Sequence, residues 1–134
     1  MRASKAEVFS DKNVASQLEA LVPAAKASGS GGATLGDYKS HAIRLSIRTA
    51  SRGAEVHRYY DDAFVVTEGK AILVAGGTVL DGKTEKDGET RGSAMQNGQS
   101  QTIAKGDIVH IPAGTPHQLT IAPGKCLLLR RDRS

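Results

Sequence analysis

The sequence predicts an all-β barrel or sandwich preceded by one amphipathic helix. From residue 41 onward, short runs of alternating apolar and polar residues have the period of half-buried strands. Turns that contain Gly or Pro separate these runs at short spacing, which is typical of antiparallel barrels and sandwiches. Before residue 28 the apolar residues instead recur with helical spacing. A chain of 134 residues suits a single domain with one core.

The helical pattern lies within residues 11–27 and has one apolar stripe, formed by Val14, Leu18, Leu21 and Val22. We predict Asp11 as the N-cap and expect Pro23 to end or kink the helix. The Gly- and Ser-rich residues 28–32 are predicted to form a flexible linker. The chain therefore divides into residues 1–32, a helix with a linker, and residues 33–134, the barrel domain.

The first predicted strand covers residues 41–48, and we expect His41 to be a surface or strand-end residue there. Two β-branched runs at 63–67 and 71–75 flank a Gly69 turn, which predicts a hairpin. Residues 78–80 are predicted to continue the second of these strands beyond a bulge.

Residues 81–99 are polar and rich in turn formers, so the β-pattern pauses there. We expect a long excursion with at most a short strand near residues 93–95, either a dispensable insertion or a lid over a site. The strand pattern resumes at 101–104, 108–111, 117–121 and 125–130.

Composition excludes several classes of function. The net charge is +4, but the basic residues are scattered apart from Arg130, Arg131 and Arg133, so no nucleic-acid partner is expected. No apolar run is long enough to cross a bilayer, so no membrane partner is expected either. The start has no apolar segment typical of a signal peptide, which fits a cytoplasmic protein or the mature form of an exported one. The single cysteine, Cys126, allows no intrachain disulfide and is expected to be a small buried residue.

Two blocks, residues 55–62 and 106–117, carry the residues with chemical potential. In a strand Glu55, His57 and Tyr59 would point the same way, because alternate residues share a face. Asp62 would enter from the start of the next strand, and His117 follows a rigid Pro-Ala-Gly-Thr-Pro bend. Two histidines with one or two carboxylates suit Mn²⁺, Fe²⁺, Ni²⁺ or Zn²⁺ and leave positions open for substrate.

These blocks resemble the two conserved motifs of the cupins. The second motif is Gly, five residues, Pro, one, Gly, two, His, and every position matches, at Gly106, Pro112, Gly114 and His117. The first motif is His-x-His, three or four residues, Glu, six residues, Gly. With Gly69 as the last position, Asp62 stands at the acidic position, His57 at the second histidine and Glu55 at the first.

A second register of the first motif places His57 at the first histidine and Tyr59 at the second, with two residues before Asp62. In either register one usual histidine is replaced, by Glu55 or by Tyr59. The asparagine expected four places after His117 is Ile121.

The resemblance covers about residues 41–130 and implies a cupin-type jelly roll, the double-stranded β-helix, with its site inside the barrel and commonly as a homodimer. It implies one divalent metal and a small-molecule ligand or substrate. Cupins include dioxygenases, isomerases, lyases and decarboxylases as well as metal-free binders, so the fold does not choose a reaction.

The expected metal ligands are His57, Asp62, His117 and Glu55, and the expected catalytic residues are Tyr59 and Glu55. Glu55 is a ligand, a general base or an outward partner of a surface arginine. Tyr59 is a proton donor if its ring faces the lumen, and otherwise a core residue. His110 is left outside the site. Three functions follow: a metal-dependent enzyme acting on a small carbonyl or carboxylate compound, a metal-free ligand binder, and a structural or regulatory dimer.

Overall fold

A computed structural model describes residues 6–121 in full and residues 127–133 as backbone only. The described part contains two helices, α1 (Asp11–Ala20) and α2 (Val22–Ser28), and thirteen strands. Neither helix has the length and apolar character needed to cross a bilayer. Cys126 and the turn at Pro123 lie outside the described residues.

The strands in chain order are β1 (Ser30–Asp37), β2 (Ala42–Arg48), β3 (Ala54–His57), β4 (Asp62–Glu68), β5 (Lys70–Ala75), β6 (Thr78–Leu80), β7 (Lys83–Thr84), β8 (Glu89–Gly92), β9 (Ala94–Gln96), β10 (Gln99–Ala104), β11 (Ile108–Ile111), β12 (His117–Thr120) and β13 (Leu127–Arg133). One sheet has the order β1-β2-β13-β4-β11, a second has the order β10-β5-β12-β3-β8-β7, and β6 pairs with β9. All of these strand pairs are antiparallel.

The two large sheets share one apolar core. Alternate residues of strands from both sheets point into it, which confirms the predicted all-β jelly roll. The core side chains are Phe64, Val66, Ala71, Leu73, Ile103, Val109, Ile111, Leu119 and Ile121. The core thus fixes the faces on which β4 and β12 can present polar side chains.

The N-terminal helices form a second apolar cluster against β2. Val14 and Leu18 of the predicted stripe pack on Leu45. Ser10, not Asp11, is the N-cap, since its hydroxyl accepts from the Asn13 backbone N–H at 3.2 Å, so the predicted cap is wrong by one residue. The expected break at Pro23 is confirmed: α1 ends before Leu21, and Pro23 lies in the first turn of α2, where a missing N–H is tolerated.

The predicted linker at residues 28–32 is wrong from Ser30 onward, because this stretch is strand β1, paired with β2. Its glycines serve close packing rather than flexibility. A Cβ at Gly31 would lie 3.1 Å from the carbonyl oxygen of Leu21, so the missing side chain lets the helices approach β1. The division of the chain at residue 32 stays a prediction, as does the homodimer.

The predicted hairpin around Gly69 is also wrong. β4 lies between β13 and β11, whereas β5 lies between β10 and β12 in the other sheet. Gly69 has φ +87°, and this left-handed residue takes the chain from one sheet to the other. The apolar runs predicted the strands correctly but carried no information about their partners.

Residues 76–99 differ most from expectation. β6 does not continue β5 but forms a small separate sheet with β9, the short strand expected near 93–95. The predicted pause in the β-pattern is wrong, because β7 and β8 extend the six-stranded sheet and β8 pairs with β3. The excursion therefore forms part of the wall beside the candidate site.

Candidate metal centre

Strands β3 and β12 lie side by side, and His117 is in register with Glu55. His57 lies two residues beyond Glu55 on β3, so the two side chains share a face. Asp62 opens β4 in the opposite sheet and is 2% exposed. The structure thus brings together Glu55, His57, Asp62 and His117, which are distant along the chain.

The bend before His117 is fixed to the end of β3. The backbone N–H of Gly114 donates to the carbonyl oxygen of His57 at 2.8 Å, and that of Ala113 donates to a carboxylate oxygen of Asp61 at 2.7 Å. On the other side, Gly76 donates its N–H to the Pro116 carbonyl at 2.9 Å. These bonds hold His117 at a set distance from β3.

The two imidazole rings have centroids 5.0 Å apart, and each histidine is 5% exposed. One ligand atom each from Glu55, His57 and His117 lies within 4.8 Å of the other two. Ligands at about 2.0–2.3 Å from an ion span up to roughly twice that distance across it, so this group is compact enough to share one ion.

Asp62 contacts His57 rather than completing that group. Its Oδ2 lies 3.2 Å from His57 Nε2, and Glu55 Oε2 lies 3.3 Å from the same nitrogen. The other carboxylate oxygen of Glu55 is 3.8 Å from Arg91 Nη1, whose side chain is 61% exposed. Such an exposed cation screens the Glu55 charge only weakly.

Glu89 and Tyr60 are the two site residues that sequence reasoning missed. Glu89 Oε1 lies 2.7 Å from His57 Nδ1, and the Tyr60 hydroxyl lies 2.9 Å from the same nitrogen. The Tyr60 hydroxyl also donates to Glu89 at 3.1 Å, and its ring stacks on His57 with centroids 4.6 Å apart. These contacts set the orientation of the His57 ring, as partners of metal-binding histidines commonly do.

The predicted catalytic role of Tyr59 does not agree with the structure. Strand β3 ends at His57, so the alternation does not reach residue 59. Tyr59 is 66% exposed, and its ring centroid lies 5.4 Å from the Arg58 guanidinium carbon. The motif register that placed Tyr59 at a histidine position therefore brings no second ligand into the site.

The other two histidines lie on the surface, as expected for His41. His41 is exposed and stacks on Tyr38, with centroids 4.8 Å apart. His110 is 61% exposed, and its Nε2 lies 3.9 Å from Asp61 Oδ2.

The pKa values of the two central histidines are shifted in opposite directions. Burial by itself lowers the pKa of His57, but the hydrogen bonds and charges of Asp62 and then Glu89 outweigh it, and the net shift is upward. Burial lowers the pKa of His117, and the hydrogen bond to the Thr115 carbonyl does not offset it. His117 Nδ1 lies 3.0 Å from that carbonyl oxygen, so Nδ1–H donates to it and neutral Nε2 keeps a lone pair for an ion.

In the metal-free protein we expect the two histidines to titrate on opposite sides of the ordinary value of 6.5, His57 above it and His117 below it. Protonated His57 stabilises the fold below pH 6.5, and that contribution is lost as pH rises through its folded pKa. Neutral His117 acts oppositely, because stability is lost as pH falls from 6.5 through its folded pKa. An NMR pH titration of the histidines, in protein that a chelator has freed of metal, measures both pKa values. A lower pKa for His57 than for His117 would contradict the described contacts.

A cavity of about 380 Å³ opens beside the site. Ala75, in register with His117, and Ile111, in register with Asp62, both line it. The wall combines apolar side chains with polar ones, among them Leu73, Ile103, Val109, Gln101, Thr102 and Thr115. The volume suits a small molecule, and the cavity is lined by strand neighbours of His117 and Asp62, not by these two residues themselves.

No family model and no curated protein matches the sequence. Solved structures match with probability 1.00, among them the polyketide cyclase RemF from Streptomyces resistomycificus at 17% identity and TM-score 0.57, where 79% of this chain aligns to 65% of that one. The cupin domain of Cnp3 from Schizosaccharomyces pombe aligns at 12% identity and TM-score 0.60 over 80% of this chain and 65% of that one. KdgF from Halomonas sp. aligns at 12% identity and TM-score 0.57 over 79% and 81%.

The chain thus spans just under two thirds of the first two of these proteins. At such identities the likeness shows the fold alone. That fold is the cupin fold, the double-stranded β-helix, as the motifs predicted.

Proposed function

We propose that this cupin-fold chain binds one divalent metal ion through Glu55, His57 and His117, and with it acts on a small molecule that carries a carbonyl or carboxylate group. One observation carries the proposal: three carboxylates surround the His57 imidazole. Glu55, Asp62 and Glu89 lie 3.3, 3.2 and 2.7 Å from its nitrogens.

The described side chains of this cluster concentrate negative charge around His57. With His57 protonated, one positive charge faces three carboxylates, which leaves two negative charges in excess when all three are ionised. The side chains of Asp62, Glu55 and Glu89 are only 2%, 13% and 15% exposed. Concentrated negative charge out of water is unfavourable, and a divalent ion that replaces the His57 proton adds one net positive charge to the cluster.

The donor set also fits a transition metal. Two imidazoles and a carboxylate suit Mn²⁺, Fe²⁺, Ni²⁺ or Zn²⁺, and three protein ligands leave positions open for water or substrate. Asp62 stands next to His57 as a fourth candidate ligand or as its hydrogen-bond partner.

When bound, such an ion supplies Lewis-acid polarisation of a carbonyl or carboxylate oxygen. The chain itself provides the rest. Glu89 and Tyr60 hold the His57 ring, the Thr115 carbonyl holds His117, and Glu55 has a second carboxylate oxygen that can accept a proton from a substrate. We place the substrate in the adjoining cavity, where Ala75 and Ile111 are the strand partners of His117 and Asp62.

A metal-free ligand binder is the second candidate, because one observation favours it. Both nitrogens of His57 already have carboxylate partners, so its hydrogen-bonding capacity is met without an ion.

We expect protein purified without an affinity tag to contain about one Mn, Fe, Ni or Zn per chain, as measured by plasma mass spectrometry. Chelation should lower the unfolding temperature and re-addition should restore it, since ligand at a hundredfold excess over Kd stabilises by about 2.7 kcal/mol. Protein that is metal-free as purified and whose unfolding temperature none of the four ions raises would support the binder instead.

A further inference from the structure

We propose that a second pocket in the chain, separate from the metal centre, binds a small oxyanion such as phosphate or the phosphate group of a small molecule. We call it the arginine pocket, because Arg44, Arg48 and Arg52 all line it. Its volume is about 300 Å³, and Ser30, Gly32 and Ser46 also line it.

The pairing of β1 with β2 brings the three guanidinium groups to one pocket. Arg44 and Arg48 are four residues apart on β2 and therefore share a face. Arg52 follows in the segment before β3, and its Nη1 donates to the Ser30 hydroxyl at 3.3 Å.

Small residues on β1 leave room for a ligand. Ser30 is in register with Arg48, and Gly32 is in register with Ser46. A Cβ at Gly32 would lie 3.8 Å from Arg44 Nη2, so the guanidinium extends across the space that a side chain on β1 would occupy. A larger side chain at either position would fill the pocket.

The charge of the lining is positive. Arg48 is 8% exposed, whereas Arg44 and Arg52 are exposed at the pocket. Of the side chains that the structure describes, no Asp or Glu lines the pocket, and none lies within 4.0 Å of the guanidinium of Arg44 or Arg52. The like charges of Arg44 and Arg52 beside one space repel each other, and a bound anion relieves that repulsion.

The chemistry of the donors defines the ligand class. Guanidinium groups present planar, forked N–H donors that match the oxygens of phosphate and carboxylate in bidentate fashion. The Ser30 and Ser46 hydroxyls can donate to further oxygens. Several cations around a pocket of this size favour a compact, multiply charged anion such as phosphate over a longer chain.

The arginine pocket and the metal centre can be tested separately. The pocket shares no lining residue with the cavity beside the metal centre, and the lining does not include Glu55, His57 or His117. A ligand in one is therefore not required for a ligand in the other.

The test is isothermal titration of inorganic phosphate into the full chain after chelation, with sodium chloride holding the ionic strength constant. We expect one phosphate per chain, and about tenfold weaker binding in each of Arg44→Gln and Arg52→Gln, since each removes charged hydrogen bonds. Arg48 is left unchanged because it is buried, so that its loss would confound folding with binding.

Arg58→Gln is the matched control. It removes the same charge from an exposed arginine that does not line the pocket, and it should leave phosphate affinity unchanged. His117→Ala should also bind phosphate normally. The proposal is overturned if the parent chain gives no heat with phosphate, or if Arg58→Gln loses as much phosphate affinity as the pocket variants. A loss of phosphate affinity in His117→Ala would also overturn it, because it would place the anion at the metal centre.

Discussion

His117→Ala is expected to weaken metal binding by more than about 100-fold, because it removes a ligand of the proposed site, and even the partners of ligands contribute about 10–100-fold. The structure offers no replacement donor on β12, since the alternate residue Leu119 lies in the apolar core. Isothermal titration calorimetry, in which Zn²⁺ or Mn²⁺ is added to protein that a chelator has freed of metal, measures the loss of affinity.

The matched control for this variant is His41→Ala. His41 is exposed and stacks on Tyr38, so its removal deletes an imidazole without touching the metal centre. We expect it to bind metal like the parent chain. If His117→Ala keeps stoichiometric metal, or if both variants lose it equally, the ligand set proposed here is wrong.

Glu89→Gln is expected to weaken metal binding by about 10–100-fold. The side chain keeps its size and an amide oxygen that can still accept from His57 Nδ1, but it loses the charge that strengthens the 2.7 Å contact. The His57 ring would then be held less firmly, and the cluster would attract a cation less strongly. Glu89 is thus a positioning residue that acts through His57.

Glu85→Gln is the comparison for this prediction. Glu85 is exposed in the same excursion and loses the same charge without a contact to His57, so it should bind metal like the parent chain. Circular dichroism of the metal-free variants separates an effect on folding from an effect on the ion. Unchanged affinity in Glu89→Gln would show that the His57 ring needs no such support.

Sequence periodicity predicted most strands because a sheet with one buried face repeats every two residues. Phe64 and Val66 are buried while Val65 between them is less so, and the same alternation holds along β11 and β12. Residues 89–92 lack this pattern, because β8 carries polar and intermediate residues at a polar wall. That stretch was therefore expected to be a loop, and Glu89 was missed with it.

Tyr60 was missed for a related reason. Alternation from Glu55 and His57 pointed to Tyr59, but β3 ends at His57, and the Arg58 N–H donates instead to the Gly88 carbonyl at 3.3 Å. The chain leaves the strand there, which moves Tyr59 outward and stacks Tyr60 on His57. The residue at which a strand ends depends on its neighbours in space, and its own sequence does not record it.

The sequence by itself determined the fold class, the complete second motif from Gly106 to His117, and the presence of His57 and His117 as donors. Only the tertiary structure decided which strands pair, that Glu89 and Tyr60 support His57, and that three arginines line one pocket. The physical reason is that strand periodicity and motif spacing are local properties of the chain. Charge balance in a site depends instead on residues brought together from strands far apart in sequence.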